Sequence, residues 1–180
     1  MVVFSNFDIN DLYILNNVNL DPTTENFGMG FYLHYLINWP DLFRVAKTLD
    51  GRMVGYVMAK DEGIGCQYHG HISALSVAPE FRRCGISVKL MNQVEQIFEE
   101  KKCYYVDLFV RTTNEPAFEL YKRLGYSIYR RIRNYYTPDP MFEEEHDAFD
   151  MRKPLSKDVD RKSLYTEQTV VNEFDLKLSD

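Results

Sequence analysis

The sequence LSVAPEFRRCGIS, residues 75–87, joins a strand pattern to a helix pattern. The strand pattern begins near residue 68, and Pro79 ends strand pairing because a proline has no N–H to donate. Over residues 88–100, apolar side chains recur at helical spacing, namely Leu90, Val94, Ile97 and Phe98. The region therefore predicts a strand, a tight loop and a helix in direct succession. The period of two predicts that one strand face carries His69, His71, Ser73, Leu75 and Val77.

The loop has the composition of a phosphate-binding site. The first turn of a helix presents unpaired N–H groups and the positive end of the helix dipole, which together favour an anion. Arg82 and Arg83 add permanent charges, and Gly85 removes the Cβ that would keep a diphosphate away from the backbone. From this string alone, an ordinary exposed loop with two solvated arginines is an equally good interpretation.

Length and composition indicate one globular domain. The 180 residues are 45% hydrophobic and 14% aromatic, enough for a sizeable core. A net charge of −6 argues against direct nucleic-acid binding. No apolar run approaches the ~18–20 residues that cross a bilayer, and residues 1–6 lack the features of a signal peptide. The 3 cysteines fit no metal-ligand spacing and favour a reducing compartment. We therefore expect a cytoplasmic protein without metal or membrane contact.

The remaining patterns predict an α/β domain. Strands are predicted at 2–7, 43–46, 53–60, 104–110, 126–136 and 147–152. Helices are predicted after a cap at Asp8, at about 31–39, and between a cap at Asn114 and Gly125, with a loop over 17–30. The order implies a mixed sheet with a parallel crossover through the helix at 88–100. Residues 154–180 are a polar extension, which could dock a partner or fray.

Three loop residues carry a resemblance to a known superfamily. Arg82, Gly85 and Ser87 occupy the first, fourth and sixth positions of a string similar to the acyl-coenzyme A loop of GNAT N-acetyltransferases, [Q/R]-x-x-G-x-[G/A]. Ser87 departs from the usual Gly or Ala, although its side chain is also small. The element order resembles that superfamily over about residues 2–153. The resemblance implies the GNAT fold, a mixed central sheet with helices on both faces.

A narrower resemblance is to the catalytic subunits of NatB-type N-terminal acetyltransferases. It rests on separate stretches in the same order, at 19–22, 31–33, 69–71, 74–83, 106–111, 120–126 and 135–136. It implies transfer of acetyl from acetyl-coenzyme A to nascent proteins that begin Met-Asp, Met-Glu, Met-Asn or Met-Gln. It also implies a large helical-repeat auxiliary subunit, through which such enzymes work at the ribosome.

Acetyl transfer needs a neutral amine, a polarised thioester carbonyl and a proton for the departing thiolate. Tyr121 is the candidate proton donor, because a phenol supplies a proton without first being ionised. Without the resemblance, its place on an apolar helix stripe favours a core residue instead. An α-amine has a pKa near ~8, so a distant base acting through water would suffice. The sequence does not identify that base.

The resemblance also implies the contacts of the co-substrate. In the superfamily the strand matching residues 74–77 splays from its neighbour, and its backbone pairs with pantetheine. The Val77 N–H would then face the thioester oxygen. The expected contacts are Leu75, Ser76, Val77, Arg82, Arg83, Cys84, Gly85, Ile86, Ser87 and Asn114. Asn114 could instead serve only as a helix cap.

His71 is the candidate residue for recognition of the substrate's second residue. A histidine N–H can donate to a carboxylate or to an amide oxygen, which groups Asp, Glu, Asn and Gln. Ser73 could add a second polar contact, while a histidine without a role is the commoner alternative. The other peptide-holding residues implied by the resemblance are Glu25, Phe27, Tyr135 and Tyr136. Phe27 would pack on the initiator methionine, and the tyrosines would bond peptide backbone.

Two rival functions remain at this level. One is an acetyltransferase of the same fold that acts on lysine or a small amine, which would need a stronger base because a lysine pKa is near ~10.4. The other is a non-catalytic subunit that binds coenzyme A or only a partner. A nucleotide phosphate loop is excluded, because the string G-x-x-x-x-G-K-[ST] is absent.

Overall fold

The computed structural model describes residues 1–19, 26–136, 146–166 and 169–172. The chain divides into two compact units, one ending at Cys103 and the other beginning at Tyr104. Each unit has its own strands, and each predicted strand is present with shifted bounds.

Unit 1 is built on four antiparallel strands in chain order. They are β1 (Val2–Asn6), β2 (Phe43–Thr48), β3 (Met53–Glu62) and β4 (His69–Val77). Its helices are α1 (Asn16–Asn19), α2 (Met29–Asn38) and α3 (Ile86–Glu100). Short 3-10 turns cover Ile9–Ile14, Pro40–Leu42, Gly65–Gln67 and Pro79–Phe81.

Local signals account for most of these boundaries. Asp8 caps the first turn as predicted, since its carboxylate accepts from the Asn10 N–H at 2.9 Å, although the turn is a 3-10 helix. The structure corrects the loop prediction for 17–30, because α1 lies partly within it and α2 begins at Met29. α2 ends at Asn38, directly before Trp39 and Pro40, as a proline stop requires.

Two apolar layers cover the sheet of unit 1. The layer under α2 contains fully or nearly buried aromatic side chains, among them Tyr32, Tyr35, Phe43 and Tyr56. We call this side of the sheet the α2 face. The opposite side, the α3 face, receives the buried side chains of Leu90, Met91, Val94 and Phe98. Residues 53–59 of β3 are accordingly buried along both faces.

β4 carries a bulge at Ser73. Ala74 pairs with Met58 and Ile72 pairs with Ala59, so Ser73 is an extra residue between them. An extra residue shifts the alternation of side chains by one position. The prediction that alternate residues from 69 to 77 share one face is therefore wrong beyond the bulge.

Contacts on the two faces confirm the shift. The Ser73 hydroxyl lies 2.6 Å from the Tyr35 hydroxyl, so Ser73 belongs to the α2 face. Gly55 pairs with Val77, and a Cβ added at Gly55 would lie 3.2 Å from Val77 and 3.4 Å from Ile86 of α3. Val77 is therefore on the α3 face, while residues 69 and 71 remain on the α2 face.

Unit 2 is a mixed sheet in the order β5-β7-β6-β8. Its strands are β5 (Tyr105–Arg111), β6 (Ser127–Arg133), β7 (Ala148–Pro154) and β8 (Val170–Asn172). The pairs β5/β7 and β6/β7 are antiparallel, and the pair β6/β8 is parallel. Val171 of β8 is buried beside Ile132, so this part of the polar extension packs against the sheet.

One helix, α4 (Glu115–Arg123), precedes β6. Asn114 caps it as predicted, because its side-chain oxygen accepts from the Ala117 N–H at 3.2 Å. Pro116 occupies the first turn, where no helical bond is lost. Gly125 follows with φ of 96°, the left-handed conformation expected after a helix.

Gly70 of β4 provides a test of the packing in unit 1. A Cβ added there would lie 2.5 Å from ring atoms of Phe98, which is fully buried. We expect Gly70→Ala to lower the free energy of unfolding by about 1–3 kcal/mol through overpacking. The measurement is urea denaturation followed by circular dichroism.

Gly30→Ala is the matched control for that variant. Nothing lies within 4 Å of a Cβ at Gly30, which is in the first turn of α2. Alanine is the better helix former, so its stability should stay equal or rise by up to about 1 kcal/mol. Equal stability of the two variants would contradict close packing of Phe98 on β4.

Candidate active site

The loop before α3 has an anion-binding backbone. Arg83 has φ of 62° and Gly85 has φ of 78°, while Cys84 between them is not left-handed. Backbone N–H groups in such alternating conformations converge into a concave nest that suits an anion. Gly85 is the N-cap of α3 and has no side chain to occupy the first N–H groups of the helix. The loop therefore offers backbone donors and a helix dipole to one ligand.

Space beside the loop is open at the same position. Nothing lies within 4 Å of the place where a Cβ of Gly85 would be. A side chain at this position would meet two obstacles, the left-handed backbone and any ligand that approaches the main chain. The geometry leaves room for a ligand close to the backbone at Gly85, which stays a prediction.

Arg82 makes a local hydrogen bond that the sequence did not reveal. Its Nε donates to the carbonyl oxygen of Val77 at 3.1 Å, so the side chain ties the loop to the end of β4. The guanidinium has further N–H groups and keeps its charge next to the nest. Arg82 thus orients the loop and adds positive charge to it.

The last residues of β4 present backbone groups away from β3. The Ala78 N–H donates to the Val54 carbonyl at 2.9 Å, and the neighbouring pair is Val77 with Gly55. Hydrogen-bonded and non-bonded pairs alternate along an antiparallel ladder. The N–H and C=O groups of Leu75 and Val77 therefore point to the side opposite β3, as the predicted pairing with pantetheine requires.

A row of aromatic rings connects Phe27 to the bulge in β4. Phe27 stacks on Phe31 with ring centroids 4.5 Å apart, and Phe31 lies 4.9 Å from Tyr35. The Tyr35 hydroxyl then pairs with Ser73 at 2.6 Å. The structure thus connects two predicted peptide-holding residues, Phe27 and Ser73, through one continuous chain of contacts. Sequence analysis missed Phe31 and Tyr35, although their spacing of four on α2 was a usable signal.

Phe27 also lines a cavity of about 320 Å³. The apolar part of its wall comes from Leu12, Leu15 and Met29. This volume is of the size that an unbranched apolar side chain can enter. The predicted contact Glu25 lies outside the described residues.

His71 lies on the α2 face beside a charged pair. It is paired across the strands with Lys60, whose Nζ lies 2.5 Å from a carboxylate oxygen of Glu62. The second oxygen of Glu62 is 3.7 Å from Nε2 of His69. Residues 69, 71 and 73 therefore border a polar strip that contains both a cation and an anion.

The candidate catalytic residue lies in unit 2. Tyr121 is on the buried side of α4, and its ring meets the edge of Tyr126 at 5.9 Å. Burial raises the pKa of the Tyr121 phenol to about 12. The phenol therefore remains protonated at physiological pH. Asn114, at the start of the same helix, uses its amide oxygen for the cap, which leaves the amide nitrogen as the group suited to a ligand.

The two tyrosines expected near the peptide also lie in unit 2. Tyr135 packs against Phe109 at 4.9 Å and against Tyr136 at 5.0 Å. The guanidinium of Arg111 lies 3.9 Å from the centre of the Tyr136 ring. Packing thus fixes both rings next to the carboxyl end of β5.

Within the described ranges, no group of three or more His, Cys, Asp or Glu side chains could hold a metal ion. The helices in those ranges are also too short or too polar to span a membrane.

The model of the acetyltransferase (GNAT) family matches residues 12–126, which include the loop, β4, β5 and α4. The chain therefore belongs to the GNAT acetyltransferase family, and the predicted fold class is confirmed. Within this family it falls in the group of N-terminal acetyltransferase B catalytic subunits, as three similar proteins show.

An Arabidopsis thaliana protein named N-terminal acetyltransferase B complex catalytic subunit NAA20 is 48% identical over 165 residues, 91% of each sequence. The crystal structure of Chaetomium thermophilum Naa20 with a bisubstrate analogue has a TM-score of 0.89 and 40% identity, covering 97% of this chain and 98% of that one. A chain from the structure of a NatB acetyltransferase complex bound to CoA and MES has a TM-score of 0.76 and 42% identity, and the match covers 85% of this chain and 99% of that one.

Proposed function

We propose that this chain is the catalytic subunit of an N-terminal acetyltransferase of the NatB type. It transfers acetyl from acetyl-coenzyme A to the α-amine of nascent proteins that begin Met-Asp, Met-Glu, Met-Asn or Met-Gln. The amine nitrogen forms a bond to the acetyl carbon, the carbon–sulfur bond breaks, and the amine loses a proton while sulfur gains one. The open, left-handed loop at Gly85 carries the proposal, on a chain 48% identical to a NatB catalytic subunit.

The co-substrate fits the loop and the end of β4. The nest at residues 83–85 and the first N–H groups of α3 would hold the diphosphate of coenzyme A, with charge from Arg82 and Arg83. Residues 84, 86 and 87 would contribute through their backbone. The outward backbone groups of Leu75 and Val77 would pair with pantetheine, beside Ser76, and the amide nitrogen of Asn114 would be a further donor to it. Two similar solved structures contain CoA or a bisubstrate analogue.

The peptide would bind to the row of Phe27, Phe31 and Tyr35 and to the α2 face of β4. The initiator methionine would pack on Phe27 and enter the adjacent cavity, whose wall is partly apolar. The second residue would meet His71 and Ser73, both of which can donate a hydrogen bond to an oxygen. Tyr135 and Tyr136 would hold peptide backbone through their hydroxyl groups, and Glu25 would complete the peptide contacts.

Tyr121 would supply the proton that sulfur gains. A thiol has an ordinary pKa near ~8.5, so transfer from a phenol of pKa about 12 to a thiolate alone is uphill. The amine becomes a cationic, much more acidic nitrogen once it has attacked the thioester. The phenol can accept that proton as it gives its own to sulfur, which keeps Tyr121 uncharged throughout.

The enzyme would act as part of a larger assembly in the cytoplasm. α2 leaves apolar side chains exposed, including Met29 and Ile37, and an auxiliary subunit would cover such a surface. Similar proteins are named as subunits of N-terminal acetyltransferase B complexes. We propose that the partner is a large helical-repeat subunit that brings the enzyme to the ribosome and its nascent chains. The extension from residue 154 onward is a further candidate for contact with it.

The substrate class is tested with peptides. The chain, co-expressed with its auxiliary subunit, should acetylate peptides beginning Met-Asp and Met-Asn at least about tenfold faster in kcat/KM than a peptide beginning Ser-Ala. A polar second side chain could accept a hydrogen bond from His71 or Ser73, whereas a small apolar one could not, and a hydrogen bond of this kind is worth about 1–3 kcal/mol depending on charge. Preference for Ser-Ala, or for an internal lysine with a blocked N-terminus, would overturn the assignment. Coenzyme A binding without turnover would indicate a non-catalytic subunit.

The role of Tyr121 is tested by removing its hydroxyl. Tyr121→Phe should lower kcat by about 100-fold, as expected for loss of a general acid, and leave the Kd for coenzyme A within about twofold. Tyr126→Phe, which removes a neighbouring buried hydroxyl, should keep most of its turnover. Unchanged kcat in Tyr121→Phe would remove Tyr121 from the mechanism.

The pH profile checks the same assignment independently. Because burial raises the pKa of Tyr121 to about 12, its phenol does not ionise below pH ~10. The wild-type kcat/KM should therefore rise with pH as the substrate amine loses its proton near pH ~8, and then stay level. A fall in kcat/KM between pH 8 and 10, absent from Tyr121→Phe, would contradict the raised pKa.

A further inference from the structure

A hydrogen-bond donor distinguishes an acidic second residue from its amide only through the strength of one bond. His71 and Ser73 can each donate to an oxygen of aspartate or of asparagine, and these two side chains have nearly the same shape. A charge close to His71 and Ser73 would separate the two substrates more strongly. On the α2 face, the cross-strand partner of His71 is a cation, Lys60.

Register and burial put Lys60 within reach of the same ligand. Lys60 and His71 are cross-strand partners, so their Cβ atoms lie about 4.5–5.5 Å apart on one face of the sheet. The Lys60 side chain is 27% exposed, so its charge is only partly screened by water. Its partner Glu62 is 40% exposed and lies two residues along the same strand, farther from Ser73.

The Tyr35 hydroxyl provides a second line of evidence for this placement. It lies 2.6 Å from the hydroxyl of Ser73, which is one of the two residues proposed to contact the second residue of the substrate. Burial raises the pKa of Tyr35 above its ordinary value, the hydrogen bond with Ser73 opposes this rise, and the charges of Lys60 and Glu62 act in opposite directions. Both charges are therefore close enough to act on a group held at Ser73.

We propose that Lys60 is a specificity residue that favours acidic over amide second residues, and that Glu62 weakens this preference. This inference rests on the proposed function. In the free enzyme the ammonium is paired with the Glu62 carboxylate at 2.5 Å. An incoming aspartate or glutamate carboxylate competes for that ammonium with a full charge, whereas asparagine or glutamine offers only a neutral amide oxygen. Glu62 both occupies the cation and repels an acidic substrate, so it limits the preference.

The test compares two substrates of equal shape. The measured quantity is the ratio of kcat/KM for a Met-Asp peptide to that for the matching Met-Asn peptide, with the enzyme in complex with its auxiliary subunit. Lys60→Met removes the charge and keeps most of the side-chain length. The ratio should fall about fivefold, which corresponds to a partly exposed charge interaction of about 1 kcal/mol. Glu62→Gln should raise the ratio by a similar factor.

Lys101→Met is the matched control. Lys101 forms a similar ion pair with Asp61 of β3 at 2.6 Å, with its own side chain 36% exposed. Asp61 pairs with Gly70, on the opposite face of the sheet, so this lysine should leave the ratio unchanged. Because both peptides meet the same enzyme, a general loss of stability or of coenzyme A binding cancels in the ratio.

The outcomes separate this inference from the proposed function. If wild type acetylates neither peptide, the proposed function fails. If it acetylates both and Lys60→Met keeps the wild-type ratio within about twofold, only the role of Lys60 is wrong. His71 and Ser73 would then recognise the second residue without help from the Lys60 charge. Higher salt should reduce the wild-type ratio, because it screens the attraction of Lys60, and should not reduce the ratio of Lys60→Met, in which only the repulsion from Glu62 is left to screen.

Discussion

The chain enters α3 through a left-handed residue, and the site depends on this single backbone conformation. A helix that starts after an Asp or Ser cap uses one of its first N–H groups to bond the cap's side chain. Gly85 has no side chain, so those groups and the dipole behind them are left for a ligand. Arg82 holds the loop in this conformation through the Val77 carbonyl, and Ile86 anchors the start of the helix in the core. Under the proposed function, affinity for the diphosphate and stability of the helix start would therefore be coupled at one turn.

The bulge in β4 changes which face of the sheet receives the side chains of alternate residues along the strand. Up to Ser73 the strand turns His71 toward α2, where polar groups and aromatic rings meet. Beyond Ser73 it turns Leu75 and Val77 toward α3 and leaves their backbone groups directed away from β3. A regular strand would have placed all of these side chains on one face. Under the proposed function, the extra residue would let peptide recognition and co-substrate recognition occupy successive segments of one strand.

Sequence reasoning succeeded where the causes are local. The loop before α3, the caps at Asp8 and Asn114, and the left-handed Gly125 are each determined by residues a few positions apart. It failed for the bulge and for helix α1, because strand register and packing decide both. Tyr35 and Lys60 were missed for the same reason, since only the pairing of β3 with β4 and the packing of α2 bring them to residues 71 and 73. The burial of Tyr121 fits both a core residue and a buried acid, so only kinetics can separate these roles.

The most direct test of the account follows backbone amides during binding. In the ¹⁵N-labelled chain, titration with coenzyme A should produce its largest amide chemical-shift changes at residues 83–88, because these N–H groups receive the diphosphate. Pantetheine, which lacks the diphosphate, should leave the same amides almost unchanged. Saturable binding of coenzyme A with the amides of 83–88 unmoved and the largest changes elsewhere would contradict the account.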